Sequence, residues 1–369
     1  MMNVKIITRH SPSNYGSLLQ SMATLKVLQD LGHHAQIIDY QRKDERGMGI
    51  VRSQLKTKPQ FSGFLKRLAY IVVRYPVEKY AQWKFDRMRS RWLQMTRRYY
   101  NKTELENLNA DILMTGSDQV WGPMMSGVYD PVYFLQFGKK SMQRVAYAAS
   151  FGKTNFDAKT AQAYKGMLAD YDKITVREQS AVDLIHQFGL TNCEGKVLDP
   201  TLLLNGAEWR KHLDITRIKS KGDYVLLYLI HNRPEHAEYA RNLAKEMGKP
   251  LIKVNPFLHQ ARWGERFILC PDVREFVSLI DNASMLVTDS FHGTCFAINL
   301  NKPFIELLPK NGTSSRNQSV LEMTGLTDRI VNDYSDYNWQ GKIIDYGRVN
   351  EILDVERKKS IDLLKHLIS

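Results

Sequence analysis

The segment Asp289-Ser290-Phe291-His292-Gly293 sets a carboxylate, a hydroxyl and an imidazole between an apolar run, Met285-Leu286-Val287-Thr288, and a stretch of small residues. A strand that stops at such a loop and restarts as a helix presents His292 at the helix N-terminus. Backbone N–H groups and the helix dipole attract anions there. An imidazole in that position gains or loses a proton near neutrality and can act as general acid or base. A lone histidine would more often be a structural cap. With Asp289, Ser290 and Gly293 around it, chemistry becomes the better reading.

Other polar segments follow apolar runs in the same way. In Asn14-Tyr15-Gly16-Ser17, glycine permits close backbone approach and the next helix offers N–H donors. Gly116-Ser117-Asp118-Gln119-Val120-Trp121 joins a carboxylate to an aromatic ring. A sugar ring needs both, hydroxyl recognition and an apolar platform, but an ordinary turn with a core tryptophan has the same pattern. Ser150-Phe151-Gly152 also follows a strand directly. In Thr175-Val176-Arg177-Glu178, Arg177 has the fork geometry that binds carboxylate or phosphate, and it is equally suited to pairing with Glu178. Ser314-Ser315-Arg316 adds hydroxyls and a second cation, while His231 and Arg233 are weaker candidates.

The elements that must position these loops alternate as strand and helix. Val4–Thr8, Ala35–Tyr40, Asp111–Thr115, Val145–Ala149 and Lys173–Val176 read as strands, with a helix over Ser17–Leu31. Asp199-Pro200-Thr201 closes this series, and a second one begins at Tyr224–Ile230, a continuous apolar run suited to a buried parallel strand. Leu251–Val254, Met285–Thr288 and Phe304–Leu307 continue it. The spacing predicts an α/β protein of two Rossmann-like domains, residues 1–205 and 206–345, with a C-terminal helix over 346–369 placed to pack back across the hinge. A basic helical insertion, about 42–100, interrupts the first domain. It reads as two amphipathic helices separated at Pro76, one with Phe64, Leu68, Val72 and Tyr75 on a face, the other with Val77, Tyr80, Ala81, Phe85, Met88 and Trp92.

Composition narrows the function classes. With 369 residues, two domains are the default. Cys193, Cys270 and Cys295 are widely spaced and odd in number, which points to a reducing compartment and gives neither a disulfide framework nor a metal pattern. The N-terminal apolar run is too short for a signal peptide, and no run approaches the ~20 residues of a membrane span. A cytoplasmic protein is expected. Phosphate-loop, dinucleotide, zinc and nucleophile-elbow motifs are missing, so no metal or cofactor is expected.

The net charge is +13, and residues 41–100 hold 16 basic against 4 acidic side chains. Such a segment is either a solvated helix face or an attachment surface for something anionic. Residues 61–98 are therefore a candidate peripheral contact with the inner face of the membrane. No recognised nucleic-acid-binding module is present.

Taken in order, the motifs resemble the polysaccharide pyruvyl transferase family. Asn14-Tyr15-Gly16-Ser17-Leu18-Leu19-Gln20, Gly116-Ser117-Asp118-Gln119-Val120-Trp121 and Tyr147-Ala148-Ala149-Ser150-Phe151-Gly152 carry the first half of the match. Val176-Arg177-Glu178, Leu198-Asp199-Pro200-Thr201, Thr288-Asp289-Ser290-Phe291-His292-Gly293-Thr294 and Ser315-Arg316 carry the second. The basic insertion lies outside it.

The resemblance implies a fold similar to the two-domain GT-B glycosyltransferases, with the site between domains. It implies transfer of a carboxyethylidene (pyruvate ketal) group from phosphoenolpyruvate, as co-substrate, to two hydroxyls of one sugar in a surface glycan or its lipid-linked precursor. His292 would then be the general acid, and Asp118 would orient or deprotonate the acceptor. Arg177, Arg316 and the Gly293 helix terminus would bind the donor's anionic groups. Asn14, Tyr15, Gly16, Ser117, Gln119, Trp121, Ser150, Ser290 and Ser315 complete the expected substrate-binding set. Many relatives carry arginine where this chain has Ser290, so other cations must serve the anion here. The competing readings are a nucleotide-sugar glycosyltransferase on the same architecture and a non-catalytic glycan-binding protein.

Overall fold

Strands buried on both faces of a parallel sheet read as near-continuous apolar runs, and the central runs of this chain do so, although Asn3–Ile7 includes a buried Lys5. The computed structural model describes residues 1–369 except 124–128, 154, 216–221, 232, 263, 265, 309–313 and 340–341; of Ser314 it describes only the backbone. The chain divides into two units, Met1–Pro200 with Lys359–Ser369, and Thr201–Lys358. The division thus falls at Pro200/Thr201.

The N-terminal unit is built on β1 (Asn3–Ile7), β2 (His34–Tyr40), β3 (Met95–Tyr99), β4 (Ile112–Thr115), β5 (Gln143–Ala149), β6 (Lys173–Val176) and β7 (Cys193–Lys196). They form one parallel sheet in the order β3-β2-β1-β4-β5-β6-β7. Helices α1 (Tyr15–Asp30), α2 (Met48–Lys56), α3 (Phe64–Trp92), α4 (Ala158–Leu168) and α5 (Gln179–Gln187) lie between strands, and α6 (Pro200–Leu203) starts at the boundary. One core, including Ile7, Leu113, Trp121, Phe134, Phe151, Tyr164 and Ile174, packs along the sheet. The last turns of the C-terminal helix belong to this unit. Leu198 donates its N–H to Ser360 Oγ at 3.0 Å, and Lys173 Nζ donates to the carbonyl of His366 at 2.6 Å.

The C-terminal unit carries β8 (Val225–Tyr228), β9 (Leu251–Asn255), β10 (Arg266–Leu269), β11 (Met285–Thr288) and β12 (Phe304–Glu306), parallel and in the order β10-β9-β8-β11-β12. Its helices are α7 (Gly206–Leu213), α8 (Pro234–Glu246), α9 (Val273–Asn282), α10 (Phe291–Asn299), α11 (Ser314–Thr324) and the part of α12 (Tyr346–Leu367) up to Lys358. A second core gathers Val225, Leu227, Tyr239, Leu243, Val287, Ile305 and Trp339.

Three strands escaped the sequence reading: β3, β7 and β10. Each ends its sheet, is short, and mixes polar with apolar residues, as edge strands do to limit pairing with other chains. The basic insertion also differs from expectation. α3 runs unbroken through Pro76. The ring removes the donor that would meet the Val72 carbonyl, and Val72 sits on an exposed turn where water can replace it.

Candidate active site

In both sheets the strand order reverses once, between β1 and β4 in one and between β8 and β11 in the other. Loops leaving the carboxyl ends of strands diverge at such points and open a crevice for ligands. The strongest candidate loops sit at these two reversals.

In the C-terminal unit, β11 ends at Thr288, whose hydroxyl donates to the Tyr228 carbonyl at 2.7 Å and accepts from Ser290 N–H at 3.0 Å. Ser290 is the N-cap of α10, its Oγ accepting from Gly293 N–H at 3.2 Å. No other residue fits at Gly293: a Cβ there would lie 2.6 Å from Thr288 Oγ1. The tight turn places His292 in the first turn of α10, largely buried, with its ring edge-on to Phe291 at 5.1 Å.

Asp289 is wholly buried and ties the two reversal loops together. It accepts from Ile230 N–H at 2.6 Å, from His231 N–H at 3.0 Å, and faces His231 Nδ1 at 3.0 Å. The His231 ring itself stays about one-third exposed. A second imidazole, His236, lies buried 3.9 Å from Asp289, and burial pushes its pKa down. Arg316, on α11, stands with its guanidinium carbon 5.8 Å from the centre of the Phe291 ring. Of the expected C-terminal residues, His292, Ser290, Gly293 and Arg316 therefore gather about one turn. Ser315 adjoins Arg316 on α11, half-buried.

Sequence reasoning missed Glu306 at the end of β12. It is fully buried, accepts from Asn317 Nδ2 at 2.6 Å, and is hydrogen-bonded to the Thr294 hydroxyl. Burial, reinforced by Asp289, raises its pKa to about 8 against those hydrogen bonds. A single acidic residue in an apolar run, Phe304-Ile305-Glu306-Leu307-Leu308, was the available signal.

In the N-terminal unit, Asp118 occupies the reversal between β1 and β4. Its carboxylate accepts from Ser17 Oγ at 3.0 Å and from Gln119 N–H at 2.7 Å. Its φ of 85° is in the left-handed region, and Ala148, next to its bridge partner Ala149, has φ 53°. Backbone strain of this kind, about 1–3 kcal/mol per residue, persists where surrounding structure enforces it, often at functional sites. Asn14 caps α1 by accepting from Gly16 N–H at 2.8 Å, so Tyr15 and Gly16 open the helix instead of preceding it. Tyr15 is buried against Phe85.

Arg177 adopts the pairing alternative. Its Nη1 donates to Asp199 at 2.9 Å and its Nε to Glu178 at 3.2 Å. Burial works against its charge, but Glu178, Asp199 and Asp118 outweigh it and raise the pKa. Ser117 donates to Asp199 at 2.7 Å and Ser150 to Glu178 at 3.0 Å, so both hydroxyls belong to this buried network. Gln119 packs against Gly152, where a Cβ would lie 2.7 Å from its amide nitrogen.

Trp121 requires a correction. It is fully buried, with ring centres 5.0 Å from Phe151, 5.8 Å from Tyr171 and 5.9 Å from Phe134. It is a core residue and offers no face to a sugar. A further cluster went unread: His10 Nε2 lies 3.1 Å from Asp39, at the ends of neighbouring strands β1 and β2, and Arg98 Nε lies 2.8 Å from the same carboxylate. Its signal was a histidine two residues beyond the first strand.

Among the described residues, no group of three or more His, Cys, Asp or Glu is placed to hold a metal ion, and no helix is long and apolar enough to cross a membrane. A cavity of about 370 Å³ in the C-terminal unit is lined by Asn205, Arg210, Asn299, Asn301, Asp354 and Arg357, among others. It lies at the last residue of α10, the end away from His292, and its arginines pair with Asp281 and Asp354.

The chain resembles solved structures over its whole length at low identity. S. aureus MnaA in a co-structure with UDP aligns over 100% of this chain and 97% of its own, with 12% identity and a TM-score of 0.53. The UDP-GlcNAc 2-epimerase from Neisseria meningitidis bound to UDP-GlcNAc aligns over 99% and 98%, with 12% identity and a TM-score of 0.50. These likenesses show the fold, two Rossmann-like α/β units of GT-B type, and the fold alone. No protein of curated function matches the sequence. The profile of the polysaccharide pyruvyl transferase family matches residues 14–308, and the chain belongs to that family.

Proposed function

We propose that the protein transfers a carboxyethylidene group from phosphoenolpyruvate to two hydroxyls of a glycan sugar, with His292 as the proton donor. The supporting observation is the Ser290–Thr294 turn. It sets an imidazole, the donor N–H groups of α10 and, from α11, the Arg316 cation about one point at a sheet reversal. Phosphoenolpyruvate brings a carboxylate and a phosphate, which such a point suits. Arg316 supplies a charge that relatives carry at the position of Ser290.

The reaction needs a proton on the methylene carbon while a sugar oxygen bonds to the adjacent enol carbon. Phosphate then leaves with the bridging oxygen, and the second hydroxyl closes the ketal. Of the two hydroxyl protons, one balances the new methyl group and the other the phosphate. His292 delivers the first, and Asp118 takes a proton from an acceptor hydroxyl. No cofactor enters this scheme.

The test incubates the protein with phosphoenolpyruvate and a panel of glycans and reads phosphate release and acceptor mass. Acceptor-dependent phosphate with the mass gain of one pyruvate ketal supports the reading. Turnover of a nucleotide sugar in its place would refute it. His292→Ala should lower kcat by about 10²–10⁴-fold with unchanged circular dichroism; a near-normal rate removes His292 from the mechanism.

A further inference from the structure

The helix α3 has two dissimilar sides. At about 100° per residue, Ala81, Phe85 and Met88 fall together on one side and are buried. Phe85 packs tilted against Tyr15 with ring centres 5.1 Å apart, Arg89 donates to the carbonyls of His10 and Pro12, and Arg74 pairs with Glu78 at 2.8 Å. That side anchors α3 to the N-terminal unit. Leu65, Leu68, Val72, Val73, Tyr80 and Trp83 fall on the other side, and nothing described covers them. Phe64 and Leu65 are 79% and 77% exposed, Val72 and Val73 63% and 69%, and Trp83 50%. A contiguous apolar surface of this kind on a folded protein marks an interaction site.

The charge around the surface selects among occupants. Lys66, Arg67, Lys79, Arg87 and Arg91 are exposed along the same helix. Tyr80 and Trp83 lie 6.0 Å apart among them, with Arg87 5.1 Å from the Trp83 ring. Aliphatic residues at one end of the face, Tyr and Trp midway and cations alongside are what an acyl–headgroup boundary takes up, with anionic headgroups meeting the cations. A second copy of this face would set like charges against each other. We propose that α3 is a membrane-docking helix that lies on an anionic lipid surface with its N-terminal third, residues 64–73, inserted. This does not depend on the transfer reaction, because the exposed face of α3 carries none of the residues assigned to it.

Co-sedimentation of the full chain with vesicles tests the proposal, comparing phosphatidylcholine alone with phosphatidylcholine and phosphatidylglycerol. Binding is expected only with the anionic lipid and should weaken as salt rises. Replacing Lys79, Arg87 and Arg91 together by Gln should weaken it about a hundredfold, at roughly fivefold per charge. Replacing Leu65, Leu68 and Val72 together by Gln should weaken it on the order of a hundredfold. Both variants should keep the wild-type Tm, since the residues are exposed. The proposal is overturned by any of four results: no binding to anionic vesicles at low salt, equal binding by the Gln variants, a dimer that the Leu65/Leu68/Val72 variant dissolves without vesicle binding, or binding of an oligonucleotide while vesicles are ignored.

Discussion

The carboxylate of Asp289 and the ring of His231 face each other at 3.0 Å, one at the end of β11 and the other just past β8. Asp289 also holds two backbone N–H groups of the His231 loop. An acceptor at Nδ1 favours the neutral tautomer that carries its proton on that nitrogen. His231, a weak candidate by sequence, is thereby held in one orientation by the loop after β11.

His231→Ala should lower kcat about 10²-fold, with little change in Tm because the ring is partly exposed. Asp289→Asn keeps the size but turns one of the two accepting oxygens into an NH2 donor, so either the Ile230 N–H or the His231 N–H and ring lose their acceptor. It should cost about 1–3 kcal/mol in stability as well as lower kcat. Thermal melts and steady-state kinetics on both variants separate orientation from catalysis. A His231→Ala enzyme with full kcat would leave the pair purely structural.

Arg316 and Arg177 should respond differently to removal. Arg316→Ala should raise the KM for phosphoenolpyruvate about tenfold or more. Arg177→Ala strands Asp199 and Glu178 in the interior and should destabilise the protein by about 3–5 kcal/mol. Kinetics and denaturant unfolding on both read the difference. If Arg316→Ala alters only the acceptor KM, the donor's cation is elsewhere.

That contrast shows where sequence reading worked and where it stopped. The central strands β1, β4, β8 and β11 were legible because burial on both faces leaves a near-continuous apolar run, interrupted in β1 by Lys5. The loop after β11 was legible because a small-residue helix start needs Gly293. What a side chain does on leaving its strand was not legible. Arg177 and Trp121 carry the types of ligand-binding residues, yet one neutralises buried carboxylates and the other fills the core. Those fates depend on residues distant in sequence, Asp199 for the first and Phe134 and Tyr171 for the second. Pro76 misled for a related reason: its cost depends on whether water reaches the preceding turn.

Asp39 makes a prediction for acid stability. Burial alone would raise its pKa, but His10 and Arg98 outweigh burial and hold it at about 2, below the ordinary 3.8. A carboxyl depressed in the folded state contributes its stability above the unfolded pKa. That contribution disappears as pH falls from about 4 to about 2, and it amounts to about 2 kcal/mol. Asp39→Asn should therefore unfold at lower urea concentration at pH 7 and show a shallower loss of stability below pH 4. Superimposable urea midpoints at pH 7 would mean that the cluster contributes nothing.

Glu306 makes the opposite prediction, and it bears on catalysis. The Thr294 hydroxyl has one hydrogen and two acceptors around it, the Ser290 carbonyl at 3.1 Å and Glu306. A protonated Glu306 resolves this by donating to Thr294 Oγ1, which then donates on to Ser290. The pKa of about 8 agrees with that assignment. Because this acid is raised above its ordinary 4.5, its contribution to stability is complete below that value. It is lost as pH rises towards 8, as the unfolded chain ionises first. Glu306→Gln should escape that decline and match or exceed the wild type at pH 8. The neutral acid also keeps negative charge away from the first turn of α10. Ionisation above pH 8 should then raise the KM for phosphoenolpyruvate about tenfold in the wild type, while Glu306→Gln stays flat. Asp289 is the charged group that reinforces the shift, so Asp289→Asn should move the rise to lower pH. A KM profile with the same alkaline rise in Glu306→Gln would assign the effect to another group.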